Sequence, residues 1–516
     1  MTLPLKDPYR SSILIICFFA LVDLGYGQTS LKGIGLNYGP YPVGFTHKVI
    51  SDPSRTYQKI YDYSTDRIAR PISVSVWYPA REGTSTTEPL KVLDYFRILK
   101  QEEEWEHLPD EQLLNWFYYQ NTPSNQGHLQ EKTQAFRAPE FADGSFPVIL
   151  YAPSFQASSV ENFALCEYLA SHGYFVISSP SRGSETRWFT RAEKEIETQA
   201  RDLEFLIAEA LKYPVADGSV IAAMGFSFGG LSGVLAQMRN DRIKAFASLD
   251  GTERYQESVL KASPFFDYGK LDVPYMHMAQ KNIPDSVLAA DGIPPELNTT
   301  FNLYDSIKKS RAYRLKFHNL THSYFSTMGV LFEKRDPRQD KSDAEIMESY
   351  RWVSIYAKTF FDAFLKEDVQ ALEFVNKAPT ENGIPPGLIS SKTKRPQTEP
   401  MGFEEFNDLA KRQHYENLNT LYESLLAMDP DLVLAENNLN TLGLQLVFNP
   451  EKGAEGIEVL RFATERYPES ANLMDSLAEA YLFLGEEEKA LECFKKSLEL
   501  NPQNQNAIQR IKELEG

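Results

Sequence analysis

The sequence predicts an α/β fold, a doubly wound and mostly parallel sheet, followed by a C-terminal all-α repeat region. Three observations carry this. Between residues 71 and 320, apolar runs of strand length alternate with runs of helical length. Several strand-like runs, 148–152 and 220–226 among them, are apolar almost throughout, as strands buried on both faces of a parallel sheet must be. Beyond residue 400 the pattern turns helical, with a spacing of 34 residues between Pro468 and Pro502.

The predicted strands are 72–78, 146–152, 174–179, 220–226, 243–249, 273–279 and 313–317, and the strongest helices are 159–171, 192–212 and 228–239. Residues 91–140 interrupt the alternation with a helical, aromatic-rich insertion, which either lines a pocket as a lid or covers a sheet edge. A polar, Pro-rich stretch at 378–400 reads as a linker between a body, 28–377, and a repeat domain, 401–516. In the last full unit, residues 471–504, Leu477, Ala478, Tyr481, Gly485, Ala490, Phe494 and Pro502 fall where the tetratricopeptide pattern places them. About three repeats are expected, the first degenerate. They imply a protein partner, or else a helical cap packed on the body.

Composition narrows the function. A chain of 516 residues with 42% hydrophobic and 24% charged residues is an ordinary globular protein and not a disordered one. A net charge of −18 argues against a nucleic-acid partner bound through phosphates, and against an anionic membrane surface. Residues 401–516 hold 22 acidic and 10 basic residues, a net of −12, so the repeats carry most of this charge. Three cysteines, Cys17, Cys166 and Cys493, are too few for a disulfide framework or a Cys-built zinc site. Eight histidines form no HExxH pair and no phosphate-binding loop appears, so no metal or organic cofactor is implied. At the start, Lys6 and Arg10 precede an apolar run at 13–22 and then Gly25, Tyr26 and Gly27. That order is a secretory signal peptide, 1–27, and its apolar run is too short to span a bilayer. The expected mature protein begins at Gln28 and is extracytoplasmic, periplasmic or secreted.

The chemistry centres on Gly225-Phe226-Ser227-Phe228-Gly229-Gly230, placed after a buried strand and opening a helix. G-x-S-x-G in that setting is a nucleophile elbow, in which the tight turn raises Ser227 above the sheet. A serine hydroxyl needs a base. The chain order Ser, acid, His leaves His277, His318, His322 and His414. His414 lies among the repeats and His277 inside a strand. His322 sits in the loop after the last strand, on the rim of Ser227, and is favoured over His318, which ends that strand. For the acid, Asp250 closes the strand after the elbow and is better placed than Asp285 on a later loop. The oxyanion hole needs two backbone N–H groups: Phe228 follows the nucleophile, and the second belongs to the loop Pro153-Ser154-Phe155.

With these residues in hand, residues 38–368 resemble the type II, plasma-type platelet-activating-factor acetylhydrolases and their bacterial relatives within the α/β-hydrolases. The resemblance rests on 39–45, Trp77-Tyr78-Pro79-Ala80, 169–176, the elbow, Ser248-Leu249-Asp250-Gly251 and Thr321-His322-Ser323-Tyr324-Phe325. It implies Ser227, Asp250 and His322 as the triad. Counting back from Ser171-His172-Gly173, it places the second oxyanion donor at Phe155. One departure stands out: Pro153-Ser154 replaces the His-Gly usual before that donor, which restricts how the loop turns. The implied function is a secreted serine carboxylic-ester hydrolase. It would act through an acyl-enzyme on small-molecule esters with short acyl chains or on lipid-like esters, with a repeat domain that binds protein. The alternatives are an interaction scaffold with an inactive hydrolase body, or hydrolysis of another acyl class such as a sugar ester, polyester or peptide.

Overall fold

The computed structural model describes residues 29–83, 88–334, 338–396, 401–430 and 432–516. The expected signal peptide and its cleavage point lie outside the described residues. One sheet organises the body. Its strands are β1 (Val43–Tyr57), β2 (Ile68–Pro79), β3 (Ala135–Arg137), β4 (Phe146–Ala152), β5 (Phe175–Ser178), β6 (Ala216–Phe226), β7 (Ile243–Leu249), β8 (Tyr275–Ala279), β9 (Ala312–Phe317) and β10 (Ile389–Lys394). They lie in the order β10-β9-β8-β7-β6-β4-β5-β2-β1-β3. The run from β5 through β4 and β6 to β9 is parallel. Antiparallel strands flank it, β2 and β1 on one side and β10 on the other.

The period-2 alternation of β4 shows why the sheet is covered twice. Val148 and Leu150 face one apolar layer, built with helices Ala192–Ala210 and Phe228–Arg239. Ile149 and Tyr151 face the other, built with Phe163–Ser171, Asp343–Leu365 and the insertion. All four side chains are fully buried. This is the α/β-hydrolase fold. Strand order reverses at β4, since β5 lies on one side of it and β6 on the other. The crevice at the carboxyl ends of β4 and β6 is therefore where such a sheet places its ligands.

The insertion is packed into the body. Helix Val92–Glu102 lays Tyr95 against Phe163, with ring centroids 4.6 Å apart. The Tyr95 hydroxyl donates to Glu167 Oε1 at 2.6 Å and accepts from Trp77 Nε1 at 2.9 Å. Burial pushes the Glu167 carboxyl up to about 7.

The linker expectation for 378–400 is corrected in part. Residues Ile389–Lys394 form β10, which pairs with β9 at the sheet edge, and Ile384, Leu388 and Ile389 are buried. The body thus runs to about residue 395. The polar character that suggested a linker is that of an edge strand, whose outward residues need no apolar partner.

Beyond it, helices pair in sequence: Phe403–Arg412 with Leu418–Met428, Glu436–Val447 with Gly453–Arg466, and Ala471–Phe483 with Glu487–Leu500, ending on Gln505–Glu515. In the last pair Ala478, Ala490 and Phe494 are fully buried, the small residues letting the helices approach and the ring filling the seam. No described helix is long and apolar enough to cross a membrane.

Candidate active site

β6 ends at Phe226 and the next helix begins at Phe228, so Ser227 alone makes the turn, at φ 54° and ψ −117°. A non-glycine residue in that region is strained and must be held. Its N–H donates to the Leu249 carbonyl at 3.2 Å, and its own carbonyl accepts from the N–H groups of Gly230 and Thr252, both at 2.9 Å. Strand and helix almost touch here. A Cβ on Gly225 would fall 2.1 Å from the Gly229 carbonyl oxygen, which explains the glycine before the turn.

His322 opens a short 3-10 turn, His322–Phe325, in the loop after β9. Its Nε2 lies 2.8 Å from Ser227 Oγ and its Nδ1 lies 2.6 Å from Asp250 Oδ2. A carboxylate only accepts, so Nδ1–H donates to Asp250 and leaves Nε2 free to accept the serine hydroxyl. Asp250 comes directly after β7, is fully buried, and holds φ at 41°. Its N–H donates to Met278 O at 2.6 Å and its Oδ1 accepts the Gln280 N–H at 2.9 Å. Burial acts to raise its pKa. The hydrogen bond and charge of His322, the Gln280 N–H and the Arg254 guanidinium outweigh that and hold it below the usual carboxylate value. Phe226 packs its ring on the imidazole at 5.2 Å and limits its rotation. Three side chains from the ends of β6, β7 and β9 thus form one hydrogen-bonded series.

Phe155 and Phe228 lie beside this series. Phe228 is the first residue of its helix, where backbone N–H groups have no intrahelical partner. Phe155 comes after β4 on the opposite lip, and its half-exposed ring packs on Phe189 at 4.7 Å. Ser154, noted above as a departure from the resembled pattern, is fastened to Glu161, a residue that sequence reasoning did not single out. The Ser154 N–H and hydroxyl donate to Glu161 Oε2 and Oε1 at 2.9 and 2.5 Å. Its only sequence signal is that it stands as a lone carboxylate in the otherwise uncharged stretch 153–166. Between these groups opens a cavity of 330 Å³ bordered by Tyr119, Phe155, Phe226, Ser227, His322 and Met328. Tyr119 comes from the insertion, which therefore supplies part of the wall.

The other candidates lie elsewhere. His277 is buried in β8 and bonds Glu253 Oε1 through Nδ1 at 2.9 Å. His318 turns to Ser390 of β10 at 3.0 Å. His414 is exposed among the repeats, 3.4 Å from Glu455. Asp285 opens the helix Asp285–Asp291 and has no contact with His322 among the described hydrogen bonds and ion pairs. Cys166, buried, and Cys493, partly buried, are free thiols. Among the described residues, no cluster of three or more His, Cys, Asp or Glu is arranged to hold a metal ion.

The family model for the tetratricopeptide repeat matches residues 476–504. A comparison with curated proteins returns no match. Among solved structures, the chain is similar to a ferulic acid esterase from Streptomyces cinnamoneus. The identity is 18% and the TM-score 0.45, over 65% of this chain and 93% of that one.

Proposed function

We propose that this protein is a serine carboxylic-ester hydrolase that works through an acyl-enzyme. The observation that carries the reading is the series Ser227 Oγ, His322, Asp250, with contacts of 2.8 and 2.6 Å on a strained elbow. In this reading Ser227 Oγ attacks the ester carbonyl while His322 Nε2 takes the serine proton. Asp250 keeps the imidazole in the right tautomer and stabilises the imidazolium. The N–H groups of Phe228 and Phe155 receive the tetrahedral oxyanion. The imidazolium then protonates the departing alkoxide, which leaves as the alcohol. Water, giving its proton to His322, hydrolyses the acyl-enzyme, and the acid is released as Ser227 is restored. The cavity border carries Tyr119, Phe155, Phe226 and Met328 beside polar Ser154, Ser323, Ser326 and Glu333, and in this reading the four apolar side chains take the acyl chain of a short-chain or lipid-like ester. The resemblance to platelet-activating-factor acetylhydrolases points the same way. Export through residues 1–27 and capture of a protein partner by the repeats complete the proposal.

The test is labelling by a fluorophosphonate probe, with turnover of an ester panel that varies acyl length and head group. Labelling lost in Ser227→Ala, together with turnover that falls as the acyl chain lengthens, supports the reading. An unlabelled wild type that turns over no ester overturns it. For export, the intact mass of the secreted protein should start near Gln28.

A further inference from the structure

The Ser154–Glu161 contact bears on how the proposed oxyanion hole is held, a role that rests on the serine-hydrolase reading. The loop after β4 has to aim a backbone N–H of Phe155 toward the oxygen of a substrate bound at Ser227. A glycine before that donor would let the loop take its turn by conformational freedom. Here Pro153 and Ser154 occupy the turn, and Gln156, just past the donor, sits at φ 51°. Such a loop needs a partner that fixes it.

Glu161 is that partner in position and chemistry. It is nine-tenths buried, borders the same cavity as Ser227 and His322, and accepts from both donors of Ser154 at 2.9 and 2.5 Å. The Tyr151 hydroxyl of β4 adds a longer contact to Oε2 at 3.4 Å. Its backbone is fixed too, since its carbonyl accepts the Met328 N–H and its N–H donates to Ser158 O, both at 3.1 Å. A surface pair of this kind would contribute little. A buried carboxylate that has lost its water and receives two donors from one residue is a rigid geometric constraint.

We infer that Glu161 is a positioning residue for the oxyanion loop: by accepting the N–H and the hydroxyl of Ser154 it takes over the task a glycine turn would perform, and fixes the N–H of Phe155. The groups that face it are Tyr151 on β4, Tyr119 from the insertion, His322 in the loop after β9, and Glu333 at the cavity border. Burial pushes the Glu161 carboxyl up to about 6, with Ser154, Tyr151 and His322 opposing. In the charged form both oxygens act purely as acceptors. Below that pH one oxygen carries a proton and becomes a donor, the charge-assisted hold on Ser154 weakens, and the negative charge facing His322 is lost.

The experiment is steady-state hydrolysis of p-nitrophenyl acetate from pH 4.5 to 9 by wild type, Ser227→Ala, Glu161→Gln and Ser154→Ala, with a melting curve for each. Glu161→Gln keeps the shape and removes the charge. It should lower kcat about ten- to a hundredfold while KM changes less than threefold, because the loss falls on the transition state. The acid limb of log kcat against pH should have a shallower slope in Glu161→Gln than in wild type, because only wild type can lose the clamp by taking up a proton at Glu161. A merely structural glutamate would lower the melting temperature without changing that slope. If Glu161→Gln fails to fold, Ser154→Ala carries the test, and its kcat should drop about threefold or more through loss of one arm of the clamp. Native kcat and an unchanged acid limb in a folded Glu161→Gln, or native kcat in Ser154→Ala, would overturn the clamp while leaving the serine mechanism standing. A wild type no faster than Ser227→Ala overturns both.

Discussion

Gly229 and Ala152 approach so closely that a Cβ on Gly229 would fall 2.0 Å from the Ala152 carbonyl oxygen. Ala152 ends β4, just before the oxyanion loop, and Gly229 belongs to the helix that comes after the nucleophile. The two lips of the proposed oxyanion hole are thus held at a separation that only a residue without a side chain allows. Gly229→Ala must push β4 and the elbow helix apart. Since a misplacement near 1 Å costs about a hundredfold in rate, kcat on p-nitrophenyl acetate should fall by about that factor. A variant with native kcat would show that the separation does not matter to catalysis.

The hydrogen-bonded series predicts a graded pattern of losses. Ser227→Ala and His322→Ala should each abolish turnover, because the members act as a unit. Asp250→Asn keeps the shape and presents the wrong tautomer partner, so kcat should fall about 10⁴-fold. His318→Ala should stay near wild type, as His318 bonds Ser390 away from Ser227. Steady-state rates for the four variants check this. An inactive His318→Ala beside an active His322→Ala would reverse the assignment of the base.

Stability should fall as pH rises across the window set by Glu167. Its ordinary value is 4.5 and burial raises it to about 7 in the folded chain. Between those values the unfolded chain has released the proton and the folded chain keeps it, so unfolding is favoured more with each step up in pH. The slope approaches about 1.4 kcal/mol per pH unit. Glu161, raised to about 6, acts in the same direction over a narrower range. Glu167→Gln removes the larger contribution, and its denaturation midpoint should depend less on pH between 4.5 and 7 than that of wild type. Equal slopes in urea titrations at several pH values would count against it.

The position of β10 decides where the repeats can be removed. A chain ending after Arg395 keeps the whole sheet, and should retain kcat on a small soluble ester with a melting temperature near wild type. A chain ending after Lys377 loses buried Ile384, Leu388 and Ile389 and bares the edge of β9. At ~1.5–3 kcal/mol for each large apolar side chain, that truncation should lower the melting temperature by about 10 °C or more. Melting curves and p-nitrophenyl acetate turnover for the two chains separate these outcomes. If the longer truncate also melts early and loses activity, the repeats are a structural part of the body.

Seven of the ten strands among the described residues were legible in the sequence because a strand buried on both faces leaves an apolar run. The three that were not are the ones that lack this mark. β10, with only Ile389 buried, reads as a polar linker. β1 carries a register shift between Asp52 and Thr56 and several exposed polar residues, and β3 has three residues. Ser227 was legible because the elbow is a local device of strand, turn and helix. Asp250 and His322 came from the chain order such a sheet imposes, and the structure brings them together. Glu161 was not legible. Its role depends on a loop folding back over seven residues to present Ser154, and no local pattern encodes that return.

The edge pairing of β10 also sets how tension travels. The chain leaves the sheet at Lys394, which pairs with Ala312 at the start of β9, and Arg311 next to it forms an ion pair with Glu405 of the first repeat helix. A pull carried along the chain to Lys394 would arrive at the amino end of β9. The six residue pairs of this ladder, ending at Ile389 and Phe317, would have to part in turn before the load reached the loop that carries His322. Along that path the ladder would open first at Lys394 and Ala312, the end of β9 farther from the loop that carries His322.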